Sequence, residues 1–429
     1  MVQTFQPTAN VIQTSLNPIR LRLLPALFAG LSAIVAPHAI AAEGNPIIPT
    51  APALAACLAD LEKPALAQGM TADHYQQLTG KLEPDASVLE KLDYQPEFIR
   101  PIWSYLATLV DNERIASGRT RWREHEKVLA DIEEKYGVPA PVVLAIWGVE
   151  SDFGRNLGTR PLLPSLATLS CFGRRQSFFR GEFLAALRIV DNGDTRAEQF
   201  NGSWAGAFGH TQFMPSTFLR TAVDHDGDGH RDLVGSAADA LASTANYLRK
   251  SGWQRGQPWG MEVALPADVL AHADSRTTRQ PLAHWLAKGV RALTPQAQSA
   301  LQDMNPDTNA AVIRPAVTEG PAFIVFANFD AIFAYNRSIK YALAIAHLSD
   351  RIAGGKPFIT AWPTTDRSLS RAQARELQTL LLLRGHDIGP VDGIVGPATR
   401  EAIRREQERL GQPATGHADQ GILEDLQTK

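Results

Sequence analysis

The chain has 429 residues, enough for two or three units at about 150 residues each. Hydrophobic residues make up 44% and charged residues 20%, a globular balance that excludes collagen-like and wholly disordered classes. Lys+Arg 42 against Asp+Glu 45 leaves a net charge of -3, which argues against any nucleic-acid partner held by phosphate neutralisation, and two cysteines cannot build a disulfide scaffold or a four-cysteine zinc site.

At the N-terminus, Arg20 and Arg22 precede an uncharged apolar run, Leu23 to Val35, and Ala39-Ile40-Ala41 supplies small residues at cleavage-site spacing. This pattern predicts a cleaved secretory signal over residues 1–41. The alternative is a membrane anchor, for which the run is shorter than the roughly 20 residues a bilayer needs. Leu54-Ala55-Ala56-Cys57 resembles a lipoprotein lipobox, but Glu43, Pro46, Pro49 and Pro52 separate it from the apolar run. Outer-membrane lipidation at Cys57 is therefore the lesser alternative. Export would place Cys57 and Cys171 in an oxidising compartment, where a single disulfide is expected; two buried free thiols are the other reading.

From about Pro52 to Arg255 the pattern is mostly helical. Arg121 to Tyr136 alternates charged and apolar residues, and Gly137-Val138-Pro139 stops the helix. Residues 256–326 change character: β-leaning Met261–Leu265 and Ala322–Ala327 flank a helical stretch near Leu282–Lys288, which predicts a small mixed insert. Helix returns from Ala331 to Ala353. Residues 356–368, rich in Pro and Thr, read as a flexible linker. In residues 369–429, Ser370 caps a helix carrying Leu377, Leu380 and Leu381, Gly385 ends it, Pro397 opens a second helix, and a third closes the chain.

Pro141 to Val149 is apolar all round, so it reads as a buried helix, and it ends in Glu150. A carboxylate there is opposed by the helix dipole and by desolvation; both raise its pKa, as a general acid near neutral pH requires. A glutamate merely reaching solvent is the alternative. Asp152 is the nearest second carboxylate, but residues two apart do not share a helix face, so the local sequence offers no partner of the kind a conventional glycosidase uses, and a distant loop stays open as its source. Further on, Gly202 to Ser216 combines small residues, which allow close backbone approach, with the amide of Gln212 and the apolar Phe213 and Met214. A glycine-rich turn over a core helix is the bland reading.

These segments carry a resemblance. Glu150-Ser151-x-x-Gly154, then Gly206-x-x-Gly209-x-x-Gln212-Phe213-Met214-Pro215, resembles the lytic transglycosylase B family of bacterial cell-wall enzymes. The match continues in Ala222-Val223-Asp224-x-Asp226-Gly227-Asp228-Gly229, Ala245-Asn246-Tyr247-Leu248, Ala334-Tyr335-Asn336-Arg337-Ser338 and Tyr341-Ala342, over about residues 53–353. The resemblance implies a lysozyme-like, α-rich catalytic domain over 42–355, and the cleaved leader implies a periplasmic location. It also implies cleavage of the β-1,4 bond between N-acetylmuramic acid and N-acetylglucosamine with a 1,6-anhydro product. Glu150 would act alone, first as acid and then as base. Ser203, Gln212, Phe213, Met214, Tyr247, Tyr335, Asn336 and Tyr341 would line sugar subsites, and Arg174 and Arg175 would lie near the substrate peptide; the alternative for the arginines is a solvated basic turn. The tail, through Gly389-Pro390-Val391-Asp392-Gly393, resembles a three-helix peptidoglycan-binding domain. The rival readings are a hydrolytic muramidase and a non-catalytic wall-binding protein.

Asp224, Asp226, Asp228 and Asp232 stand at positions 1, 3, 5 and 9 of an EF-hand-like loop, with the His230 carbonyl at position 7. Gly235 occupies position 12, where a bidentate Glu belongs; by the resemblance Asp239 fills that role. A structural Ca2+ is the reading and a metal-free Asp-Gly turn the alternative, with no cofactor needed for chemistry. The expected fold is thus mainly α with a small mixed insert and a three-helix tail. The expected partners are peptidoglycan glycan strands, with cell-wall synthesis or division proteins open, and a monomer is the default.

Overall fold

The helix Ala140–Ser151 runs through the largest apolar core, with Val143, Leu144, Ala145 and Ile146 fully buried. Pro139 and Pro141 start it where no amide partner is needed, and its lack of a polar face forces it inside. It packs against Asn112–Glu124, Ala237–Lys250 and Ile339–Ile352. The computed structural model describes residues 49–92, 101–270, 276–316, 320–364 and 368–428; the expected leader, 1–41, lies outside them. Among the described residues no helix is long and apolar enough to cross a membrane.

A second core gathers Leu54, Leu58, Leu166, Phe183 and Phe208 from helices Ala51–Leu66, Leu162–Cys171 and Gln176–Asp191 and the loop after them. A disulfide between Cys57 and Cys171 ties the first of these helices to the end of the second. Tyr247 and Tyr335 pack against both cores, so the seam between the two is aromatic.

Two helix boundaries differ from the sequence expectation. The charged stretch forms two helices, Asn112–Glu124 and Glu126–Tyr136, because His125 leaves helical geometry. Ala331–Ala353 is likewise split into Ala327–Asn336 and Ile339–Ile352 by Arg337 at φ 49. There the Ser338 hydroxyl accepts from the Tyr341 amide at 3.4 Å and starts the next helix.

The insert holds an antiparallel five-stranded sheet of Gly260–Ala264, Gln280–Pro281, Arg291–Ala292, Asn309–Ile313 and Ala322–Val325. The central strand, Ala322–Val325, is buried on both faces. Ala322 and Ile324 face a small core with Leu282 and Leu301, while Phe323 and Val325 face the largest core, following the two-residue period. The stretch after helix Ile339–Ile352 is fixed rather than free. The Glu262 carboxylate accepts from Ile359 N and Thr360 N at 2.7 Å each, and the Phe358 ring stacks 3.8 Å from His347.

The C-terminal module has helices Arg371–Leu383, Pro397–Arg409 and Gln420–Thr428 around Leu377, Leu381, Ile403 and Leu423. Ser370 and Gln373 form a reciprocal capping box. Buried Gln378 donates to Asp392 Oδ1 at 3.0 Å and accepts from Gly393 N at 2.7 Å, which fixes the Gly-Pro-rich turn.

Candidate active site

Glu150 is next to last in its helix and lines a cavity of about 270 Å³ with Lys91, Asn156, Gly158, Thr159, Arg160, Gly202, Ser203, Trp204 and Gln212. Among the described residues it is the single carboxylate in that lining. Its side chain retains some exposure, but burial of the carboxyl pushes its pKa up to about 7 against the opposing hydrogen bond from Tyr341. That bond runs from Tyr341 Oη to Glu150 Oε1 at 2.6 Å.

The tyrosines form a layer beneath the carboxylate. Tyr341 and Tyr335 stack at 6.2 Å, and Tyr335 meets Tyr247 edge-on at 4.9 Å. Each hydroxyl is anchored: Tyr335 to the Thr211 carbonyl at 2.7 Å, Tyr247 to the Ala334 carbonyl at 2.7 Å. Phe213 does not line the cavity: it is 2% exposed, with its ring 5.9 Å from both Tyr247 and Tyr335, so it supports the layer from behind. Met214 is half-buried and precedes helix Pro215–Thr221, while Asn336 is exposed at the end of its own helix.

The loop from Gly202 is folded on itself. Ser203 N donates to the Ala207 carbonyl at 2.7 Å, and Ser203 Oγ accepts from Ala207 N at 3.0 Å. Gln212 sits at φ 50 and its amide donates to the Gly209 and Leu157 carbonyls at 2.9 and 3.1 Å. His210 fastens this loop to the helix that carries Glu150. Ser151 Oγ donates to its carbonyl at 2.5 Å, and Trp147 Nε1 donates to its Nδ1 at 3.0 Å. The ring proton therefore belongs on Nε2. Burial holds the His210 pKa below the usual range, in keeping with a neutral acceptor.

Arg174 and Arg175 do not line this cavity. They are exposed on the turn before helix Gln176–Asp191, where Arg174 donates to the Leu92 carbonyl at 3.1 Å and Arg175 covers the Phe178 ring at 4.5 Å. The cations that do line it, Lys91 and Arg160, escaped the sequence reading; Arg160 is held by Asp85 at 2.8 Å and Ser87 at 2.6 Å. Trp204 carried a weak signal, since it stands inside the glycine-rich loop.

In the Asp-rich loop, ligand atoms of Asp224, Asp226 and Asp239 lie within 4.8 Å of one another. Asp239 is fully buried and accepts from His225 N at 2.7 Å and Asp232 N at 2.9 Å. Burial, then the charge of Asp226, raises its pKa. An all-oxygen, carboxylate-rich set of this kind suits a hard cation. Asp228 and His230 stand apart from it: Asp228 Oδ1 accepts from His230 N at 2.8 Å, and both line a separate cavity of about 610 Å³.

Residues 53–350 match the model of the transglycosylase SLT domain, and residues 370–426 match that of a peptidoglycan binding domain. The membrane-bound lytic murein transglycosylase B of Escherichia coli K12 is 30% identical over 306 residues, covering 68% of this chain and 81% of its own. The structure of SltB3 from Pseudomonas aeruginosa with NAG-anhNAM-pentapeptide superposes with a TM-score of 0.68 at 44% identity, covering 87% of this chain and 99% of that one. Escherichia coli Slt35 in complex with calcium gives a TM-score of 0.60 at 28% identity, covering 69% and 92%.

Proposed function

The chain belongs to the transglycosylase SLT family and is a lytic transglycosylase acting on peptidoglycan; we propose that Glu150 is its single catalytic carboxylate and that the reaction proceeds without water. The observation that carries this reading is the lone Glu150 carboxylate in its cavity, raised in pKa and bonded to Tyr341. Protonated Glu150 gives its proton to the glycosidic oxygen as the bond from muramic C1 breaks. The N-acetyl oxygen of the muramic residue stabilises the positive C1, replacing a second carboxylate as in substrate-assisted glycosidases. The Glu150 carboxylate then takes the proton of the C6 hydroxyl while O6 attacks C1, leaving a 1,6-anhydro end. The NAG-anhNAM-pentapeptide bound by SltB3 supports that product.

Ser203, Gln212 and the tyrosine layer would shape the sugar subsites, and the C-terminal module would hold the enzyme on the wall. Asp224, Asp226 and Asp239 would take a structural Ca2+ with no part in chemistry, a reading supported by the calcium in Slt35. The disulfide and the leader pattern support export to the periplasm.

The test is mass spectrometry of products released from purified sacculi by the wild-type protein and Glu150→Gln. Muropeptides one water lighter than hydrolysis products, resistant to borohydride and missing with the variant, are expected. Reducible muramic ends would make the protein a muramidase instead.

A further inference from the structure

We propose that Arg371, the first helical residue of the C-terminal module, is a positioning residue for catalysis: through Asp152 it clamps the strained turn that follows Glu150. The proposal rests on the assignment of Glu150 as the catalytic carboxylate.

Helix Ala140–Ser151 is followed by Asp152 at φ 53, Phe153 at φ 59 and Gly154 at φ 83. Two successive non-glycine residues in the left-handed region crowd Cβ against the following carbonyl and are strained. Such a conformation persists only where the surroundings over-determine it. Two clamps come from the catalytic domain. The Phe153 ring fills a slot open because residue 148 is glycine; a Cβ there would stand 2.6 Å from the ring. Gly154 lies flat against His210, where a Cβ would fall 2.4 Å from Cε1.

The third clamp comes from the other domain. Arg371 Nη1 lies 2.8 Å from Asp152 Oδ1, with side chains only 15% and 12% exposed. Burial alone would raise the Asp152 pKa, yet Arg371, helped by Arg114 and Arg155, holds it below the usual range. Arg155 is the weaker partner, half-exposed at 3.4 Å. Arg371 is itself fixed, since its Nε donates to the Asp392 carbonyl at 3.3 Å. One turn further on, Arg375 pairs with Glu113 at 2.6 Å. With the preceding segment pinned by Glu262, the module is seated on the catalytic domain and braces the end of the helix that presents Glu150.

A seated module should therefore affect chemistry as well as wall binding. The experiment measures kcat and KM of full-length Arg371→Ala, Arg371→Lys, Asp152→Asn and the Ala/Asn double variant on a short soluble glycan, alongside sacculus pelleting. Arg371→Ala should lower kcat about tenfold, because small displacements of a catalytic group are costly, with KM within about twofold. Arg371→Lys should recover part of the loss, the double variant should be no slower than Asp152→Asn, and pelleting should stay at the wild-type level. If Arg371→Ala is not folded by thermal unfolding, Arg371→Gln is read by the same criteria. Wild-type kcat on the soluble glycan, or a defect confined to pelleting, overturns the proposal. Activity in Glu150→Gln would instead overturn the catalytic assignment, whatever Arg371 does.

Discussion

Tyr341, 1% exposed, donates its hydroxyl proton to Glu150 Oε1 across 2.6 Å, from a residue 191 positions away in the chain. Burial pushes the Glu150 pKa up and this bond holds it back, leaving it at about 7. With protonated Glu150 as the proposed acid, kcat/KM should fall as pH rises through about 7. Tyr341→Phe removes the bond that favours the carboxylate. Its descending limb should move to higher pH, while the rate at the optimum drops about tenfold through lost orientation. A pH–rate profile on soluble glycan checks both, and a limb unmoved by the substitution would sink the account.

The same burial has a price in stability. The folded pKa of Glu150 is about 7 against an ordinary 4.5, so its contribution is fully present below 4.5 and is lost as pH rises through 7. The loss is at most about 3 kcal/mol. Glu150→Gln, which never ionises, should therefore be more resistant to urea than wild type at pH 8. The difference should close by about pH 4. Equal midpoints at both pH values would show that the carboxylate is well solvated.

How much of this was legible depends on whether the signal is local. The helix ending at Glu150 announces itself because Val142 to Trp147 has no polar face. Tyr341 became a candidate only through the family resemblance, since nothing in its neighbourhood points to a carboxylate so far away. The break at Arg337 leaves little trace in the sequence because apolar residues continue at helical spacing across it, although Ser338 is a good cap residue. Gln280–Pro281 and Arg291–Ala292 are too short to show a period. Residues 356–368 read as a flexible linker by composition, which cannot register a distant Glu262 accepting the amides of Ile359 and Thr360. Lys91 and Arg160 line the cavity from segments with no motif of their own.

Glu182 is another residue without a local signal. It is 4% exposed, and its carboxylate accepts from Ser216 N at 2.9 Å and Ser216 Oγ at 2.7 Å, two residues beyond Met214. This bond fixes the exit of the glycine-rich loop. Glu182→Ala would leave both donors without their partner and should destabilise the fold by about 1–3 kcal/mol. Glu182→Gln keeps one acceptor and should cost less. Urea midpoints for the two variants decide it; equal values would mean that the pairing adds nothing beyond the packing of the side chain.

The Asp-rich loop gives a prediction whose sign follows from crowding. Asp239 is fully buried beside Asp226, and its carboxylate is opposed first by burial and then by that neighbour's charge. A divalent cation among Asp224, Asp226 and Asp239 would relieve both effects in the folded state only. Calcium should therefore raise the thermal midpoint, by the equivalent of about 2.7 kcal/mol at a hundredfold excess over Kd. Magnesium should do less, because it demands a tighter octahedron and gives up its water reluctantly. Asp239→Asn keeps an oxygen toward the backbone amides but loses a charge, so its calcium response should be weaker. Turnover on soluble glycan at a temperature where both proteins are folded should not respond to calcium. An undiminished shift in Asp239→Asn would place the ion elsewhere, and a calcium-dependent kcat would make the loop part of the catalytic machinery.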